Sequence, residues 1–127
     1  MNALTLSILP GVYSIHQVNP EEPLPTKIFK ASFLSITKTD EEVSLVLPKE
    51  TPFISKKADS NWSCLKVKGP LDFGLTGLLA SLSTTLANAG ISIFAISTYN
   101  TDYILVKKTN LEKAIRVLED KGHEIIR

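Results

Sequence analysis

An α+β fold in two halves is predicted by three observations. Residues 61–127 read strand, helix, strand, strand, helix, strand. Residues 1–60 hold short extended stretches interrupted by Pro10, Pro20, Pro23, Pro25, Pro48 and Pro52, with no long helical stripe. Between Asp72 and Asp102 there is no Asp, Glu, Lys or Arg, although 21% of the chain is charged, so this run belongs to a packed interior. Its Ser and Thr residues and Gly90 break it too often for a membrane span, which needs roughly 20 mostly apolar residues.

The elements follow in order. Leu4-Thr5-Leu6-Ser7-Ile8 alternates apolar and polar as a half-buried strand does. Val12–Val18 resumes in extended form. No helix crosses residues 20–25, because each proline removes a donor and restricts its predecessor. Phe29–Thr37 reads as a third extended stretch. Thr39-x-x-Glu42 has the capping-box pattern, with room for only a turn of helix before the strand Val43–Leu47. Residues 53–60 are irregular and polar and mark the boundary, giving a β-rich half at 1–60 and a second domain at 61–127.

In that domain Trp62–Lys68 is a strand closed by Gly69-Pro70. Leu75, Leu78, Leu79, Leu82 and Leu86 recur at helical spacing, predicting a helix near 74–89 with a buried leucine stripe, stopped by Gly90. Ile91–Tyr99 is β-branched and aromatic. Asn100-Thr101 turns the chain, and Asp102–Lys107 returns as a strand. Thr109-x-x-Glu112 is a second capping box opening a helix near 110–121, with Glu112 and Arg116 spaced for an i,i+4 pair. Gly122 stops it, and His123–Ile126 is a last strand. This is the split βαβ, ferredoxin-like order, which implies a four-stranded antiparallel sheet under two helices.

Composition narrows the function. The net charge is +1 and no basic run exceeds two lysines, unlike a nucleic-acid binder. The single cysteine, Cys64, suits a reducing compartment and reads as a small buried hydrophobe. The N-terminus lacks a basic region before its apolar stretch, so a cytoplasmic protein is expected. No Cys/His cluster has metal-ligand spacing, no nucleophile–base motif is present, and no cofactor fingerprint occurs, so no enzyme is predicted. His16 and His123, each among apolar neighbours, read as structural. On the first helix the face opposite the leucines carries Ala80, Ser81, Thr84, Ala87 and Asn88. Such a neutral face implies cover by a neighbouring domain or a partner subunit.

Two strings carry a family likeness: Gly69-Pro70-Leu71-Asp72-Phe73-Gly74-Leu75-Thr76-Gly77 and Ala89-Gly90-Ile91-Ser92-Ile93-Phe94-Ala95-Ile96-Ser97-Thr98-Tyr99-Asn100-Thr101-Asp102-Tyr103. They resemble the ACT domain, the small regulatory module that binds amino acids in many metabolic enzymes. The likeness is closest to the ACT modules of the animal cytosolic arginine sensors and of small bacterial tandem ACT-like proteins. It is strong over residues 61–127; residues 1–60 resemble a degenerate ACT-like half.

The resemblance implies a non-catalytic sensor that binds an amino acid at an ACT–ACT interface. Its ligand would meet the loop Phe73, Gly74, Leu75, Thr76 and Gly77 and the segment Ser97, Thr98, Tyr99, Thr101 and Asp102. Glycines at a helix start let backbone N–H groups approach a carboxylate, and Asp102 suits an ammonium group. A homodimer would supply the module contacts that the longer sensors hold within one chain. The alternative is a protein–protein interaction module whose ligand site is vestigial.

Overall fold

The computed structural model describes residues 3–68 and 77–127. In chain order the elements are β1 (Thr5–Ile8), β2 (Tyr13–Val18), a 3-10 turn (Thr26–Lys30), β3 (Ser35–Lys38), β4 (Val43–Pro48), β5 (Lys57–Val67), α1 (Leu78–Asn88), β6 (Ile93–Ser97), β7 (Asp102–Lys107), a 3-10 turn (Lys108–Asn110), α2 (Leu111–Asp120) and β8 (Glu124–Ile126). The described residues thus form a mixed α+β structure of eight strands and two α-helices. The chain divides into two units, Met1–Pro10 with Ser63–Arg127, and Gly11–Trp62.

The first unit is built on strands in the order β6-β7-β5-β1-β8. Leu6 and Val67 are paired across β1 and β5, and Leu6 and Ile125 across β1 and β8. The β1–β8 pair is parallel and the β1–β5 and β6–β7 pairs are antiparallel. Alternation along each strand sends Leu6, Leu65, Val67, Ile104 and Val106 to one core, where Leu82 and Leu86 of α1 and Ala114 and Leu118 of α2 meet them. Cys64 and Leu105, out of phase with these residues, are also fully buried. Gly90 and Gly122 take positive φ after the two helices, the left-handed conformation that only glycine adopts without a steric cost.

β1 corrects the sequence reading. The alternation of residues 4–8 predicts a strand, but assigns it by position to the N-terminal half. It lies instead between β5 and β8, so the sheet is not the simple four-stranded one. Backbone bonds from Leu9 N to Cys64 O (2.9 Å), Lys68 N to Thr5 O (2.8 Å) and Glu124 N to Leu4 O (2.9 Å) fix it there. His123 completes the attachment, its Nδ1 accepting from Leu4 N at 3.1 Å.

The second unit orders its strands β3-β4-β2-β5, using the first part of β5. Val18, Ile28, Val43, Leu45 and Leu47 form its core, with Leu24, Leu34 and Phe53 against them. The β2–β5 ladder shifts register between Tyr13 and Ile15, and Asn61 there holds φ 67°, the arrangement of a β-bulge. Its extra residue stands one position before Trp62, the last residue of the unit.

Local expectations were met unevenly. Residues 29–37 do not form one extended stretch. Their first part belongs to the 3-10 turn that buries Ile28, and only Ser35–Lys38 is strand. Thr39 caps a turn and no helix: its Oγ1 accepts from Glu41 N and Glu42 N at 3.1 and 3.2 Å, while Thr39 N returns to Glu42 O. Thr109 falls inside a 3-10 turn, and α2 starts at Leu111 without a side-chain cap. Glu112 turns to Arg127 in a two-bond pair of 2.6 and 3.0 Å instead of pairing with Arg116. Leu82 and Leu86 are fully buried as expected; Leu78 and Leu79 are only partly so, at the start of the helix.

Candidate functional site

Of the residues that the family likeness singles out, Gly77, Thr98, Tyr99 and Asp102 lie in the described structure, with Ser97 and Thr101. Phe73, Gly74, Leu75 and Thr76 lie outside the described residues. Gly77 stands at the start of α1 with φ 77°, and its carbonyl accepts from Ser81 N at 2.9 Å. Among the described residues, leaving aside its chain neighbours, no heavy atom lies within 4 Å of where a Cβ on Gly77 would stand. Glycine is needed there for the left-handed backbone and not for room.

The turn between β6 and β7 spans four residues, Thr98 to Thr101, where the sequence suggests two. Thr98 and Thr101 close it mutually. Thr98 N and Thr98 Oγ1 donate to Thr101 O at 2.8 and 3.0 Å, and Thr101 N donates back to Thr98 Oγ1 at 3.2 Å. The buried Thr101 hydroxyl then donates to Val67 O at the end of β5. One threonine therefore ties the hairpin to the point from which the glycine-containing segment departs. Threonine is needed for this, since valine has the same shape and no donor.

Asp102 opens β7 opposite Ser97 and is half-buried. Tyr99 projects from the turn with 82% of its surface exposed. Thus Thr98, Tyr99 and Asp102 share one end of the sheet with the start of the segment that leads to Gly77. The chemistry there is polar and unreactive: hydroxyls committed to backbone, one carboxylate and a phenol. Cys64 offers no nucleophile, because burial pushes its thiol up to about 12. His16 and His123 are held below the usual imidazole range by burial. His16 Nδ1 bonds Ser55 Oγ at 2.8 Å and stacks edge-on to Phe53, so both histidines are packing residues in place. Among the described residues no cluster of His, Cys, Asp and Glu suits a metal. None of their helices is long and apolar enough to cross a membrane.

A sheet covered by two helices, with a threonine-locked hairpin at one end, is the architecture of an ACT module. The ACT domain family model matches residues 57–120, and the chain belongs to that family. A second family model, of an N-terminal domain, matches residues 11–55. A protein of Agobacterium tumefaciens solved by X-ray crystallography is 35% identical, with a TM-score of 0.89 over 99% of this chain and 94% of that one. The cytosolic arginine sensor for mTORC1 subunit 1 of Bos taurus is 30% identical over 101 residues, 70% of this chain and 30% of that protein. The chain thus spans about a third of the length of the arginine sensors it matches, 30% of the bovine and 38% of the human protein. The regulatory subunit of aspartate kinase from Thermus thermophilus shares the fold, with a TM-score of 0.65 at 12% identity.

Proposed function

We propose that this chain is a non-catalytic regulatory protein of the cytoplasm that binds an amino acid where ACT modules of two copies meet. In this reading the degenerate ACT-like half, expected at residues 1–60, is the unit Gly11–Trp62. The observation that carries it is the Thr101–Val67 tie, which pins the Thr98–Asp102 segment to the strand end before the glycine loop. That pinning is what a ligand contacting both segments requires. The exposed Ala80, Thr84, Ala87 and Asn88 on α1 supply a neutral face for the second copy. The named relatives include an arginine sensor, which favours an amino acid as ligand.

The test is a thermal-shift screen of amino acids combined with sedimentation at micromolar concentration. A native-state ligand at 100 times its Kd adds about 2.7 kcal/mol of stability, a readily measured rise in midpoint. A dimer with one or a few amino acids raising the midpoint is the expected outcome. No shift with any amino acid, in a monomer, removes the sensor reading. The same exposed α1 face favours a second reading, an interaction module with a vestigial site. An RNA platform is disfavoured: the second face of the central strands buries Cys64 and Leu105 instead of exposing aromatics.

A further inference from the structure

The unit Gly11–Trp62 carries an open cleft of about 850 Å³ that the ACT reading does not use. It forms where three strand ends meet. Gln17, Val18 and Asn19 close β2; Glu41 lies in the turn before β4; Ser55, Lys56 and Lys57 lead into β5. β2 is hydrogen-bonded to β4 on one side and to β5 on the other, with Val18 opposite Val43 and Gln17 opposite Lys57. The cleft therefore has an acidic side, Glu22 and Glu41, and a basic side, Lys56 and Lys57, separated by the end of the central strand. None of these four charges is in an ion pair within the described residues.

Each wall is fixed by hydrogen bonds. Thr39 closes the turn that carries Glu41, and the neighbouring Glu42 is occupied by Gln17 Nε2 at 3.1 Å. Asn19 Oδ1 takes Glu21 N at 2.9 Å and Asn19 O takes Glu22 N at 3.0 Å, which sets the Glu22 backbone. Ser55 Oγ donates to Lys57 O at 2.8 Å and so accepts from His16 Nδ1, securing the basic wall to the core. Between the walls lie the apolar Val18 and Ile54, the latter 95% exposed. A large aliphatic side chain left in water at the lip of a charged cleft offers a surface for a ligand's apolar body.

We infer that this cleft binds a short peptide with free ends, about three residues long and extended. The argument is one of length. Strands lie about 4.8 Å apart, so the backbones of Val43 and Lys57, on the strands either side of β2, are separated by about 10 Å, and Glu41 lies two residues before Val43. Three extended residues span at most about 10 Å. The peptide's ammonium meets Glu22 and Glu41, its carboxylate meets Lys56 and Lys57, and its middle side chain covers Val18 and Ile54. A single amino acid is too short to reach both walls. The charged ends make charge-assisted bonds, the stronger class.

The test uses three probes on the full chain: Ala-Leu-Ala with free ends, the same tripeptide acetylated and amidated, and leucine. Amide resonances are followed by NMR. The free tripeptide at millimolar concentration is expected to move Gln17, Val18, Asn19, Ser55 and Lys57. Capping both ends is expected to weaken binding about tenfold or more, the loss of at least one charged hydrogen bond. Glu41→Gln and Lys57→Gln change exposed side chains and leave the fold intact. Each is expected to weaken the free tripeptide, and Lys57→Gln to leave a C-terminally amidated form unaffected. Equal binding of the capped peptide, equal shifts with leucine, or no shift with the free tripeptide each overturns the inference.

Discussion

Leu6→Ala tests the placement of β1 most directly. Leu6 is 0% exposed and packs in the core formed by β5, β7 and the two helices. The substitution removes three carbons, worth about 0.8 kcal/mol each, or about 2.4 kcal/mol in transfer terms. The surrounding strands are hydrogen-bonded on both sides of Leu6 and cannot collapse into the space, so a cavity cost adds to this. The total falls within the ~2–5 kcal/mol range of buried Leu→Ala changes. With a urea slope of about 1–3 kcal/mol/M, that loss lowers the midpoint by roughly 1–5 M. Ile54→Ala, at a side chain 95% exposed, is the control and stays within about 0.5 kcal/mol. Far-UV circular dichroism reads the melts, and hydrogen exchange localises the effect. The amides of Leu9, Lys68 and Glu124, which bond across β1, are expected to exchange faster. A loss under about 1 kcal/mol with those three amides unchanged would show that β1 is not integral to the sheet.

Thr101→Val keeps shape but removes the buried hydrogen bond to Val67 O; it is expected to cost about 0.5–1.5 kcal/mol, measured by denaturant melts. Gly77→Ala is expected to cost roughly 1–2 kcal/mol through the left-handed backbone alone, since the space is open; no loss would mean that the φ relaxes. Asp102→Asn is expected to weaken any amino acid found in the screen by about 1.5–3 kcal/mol in calorimetric titration. Stability is expected to fall with acidification: both histidines titrate lower in the folded chain than at their ordinary 6.5, so the unfolded chain takes up protons first. The loss begins as pH drops through 6.5 and continues to the folded values. For His123 the cause is burial, with a lone pair already committed to Leu4 N, and His123→Gln is expected to reduce the slope in urea melts between pH 7.5 and 5.

The sequence made the second half legible because its periods are long and unambiguous. The leucine spacing of α1 and the Ile/Phe/Ala run of β6 each allow one reading, and Gly90 and Gly122 punctuate them with positive φ. The family strings then pointed to the hairpin, where Thr98, Tyr99 and Asp102 share one end of the sheet. Other features were not legible because nonlocal contacts decide them. Residues 4–8 look like a strand but carry no sign of which sheet they join; only the pairing of Leu6 with Val67 and Ile125 decides it. Glu112 is spaced for Arg116, yet Arg127 arrives from just beyond β8. The role of Thr101 depends on the carbonyl of Val67, a backbone atom that no side-chain pattern announces. Likewise, Glu22, Glu41, Lys56 and Lys57 read separately as solvated loop charges and become opposing walls only once β2 lies between them.

The position of β1 also sets an order of events on the ribosome. Leu6 leaves well before its partner Val67, and Ile125 comes later still. At about 5–20 residues per second, roughly 6–24 s separate Leu6 from Ile125. Gly11–Trp62 pairs its strands internally and can fold during that interval. β1 meanwhile waits as an unpaired strand, the form most exposed to wrong pairing. Its brevity, four residues with only Leu6 and Ile8 apolar, keeps that risk small. The same nesting makes strands synthesised later the ones that secure β1, so a nascent chain stalled before residue 124 lacks the strand that closes the outer side of β1.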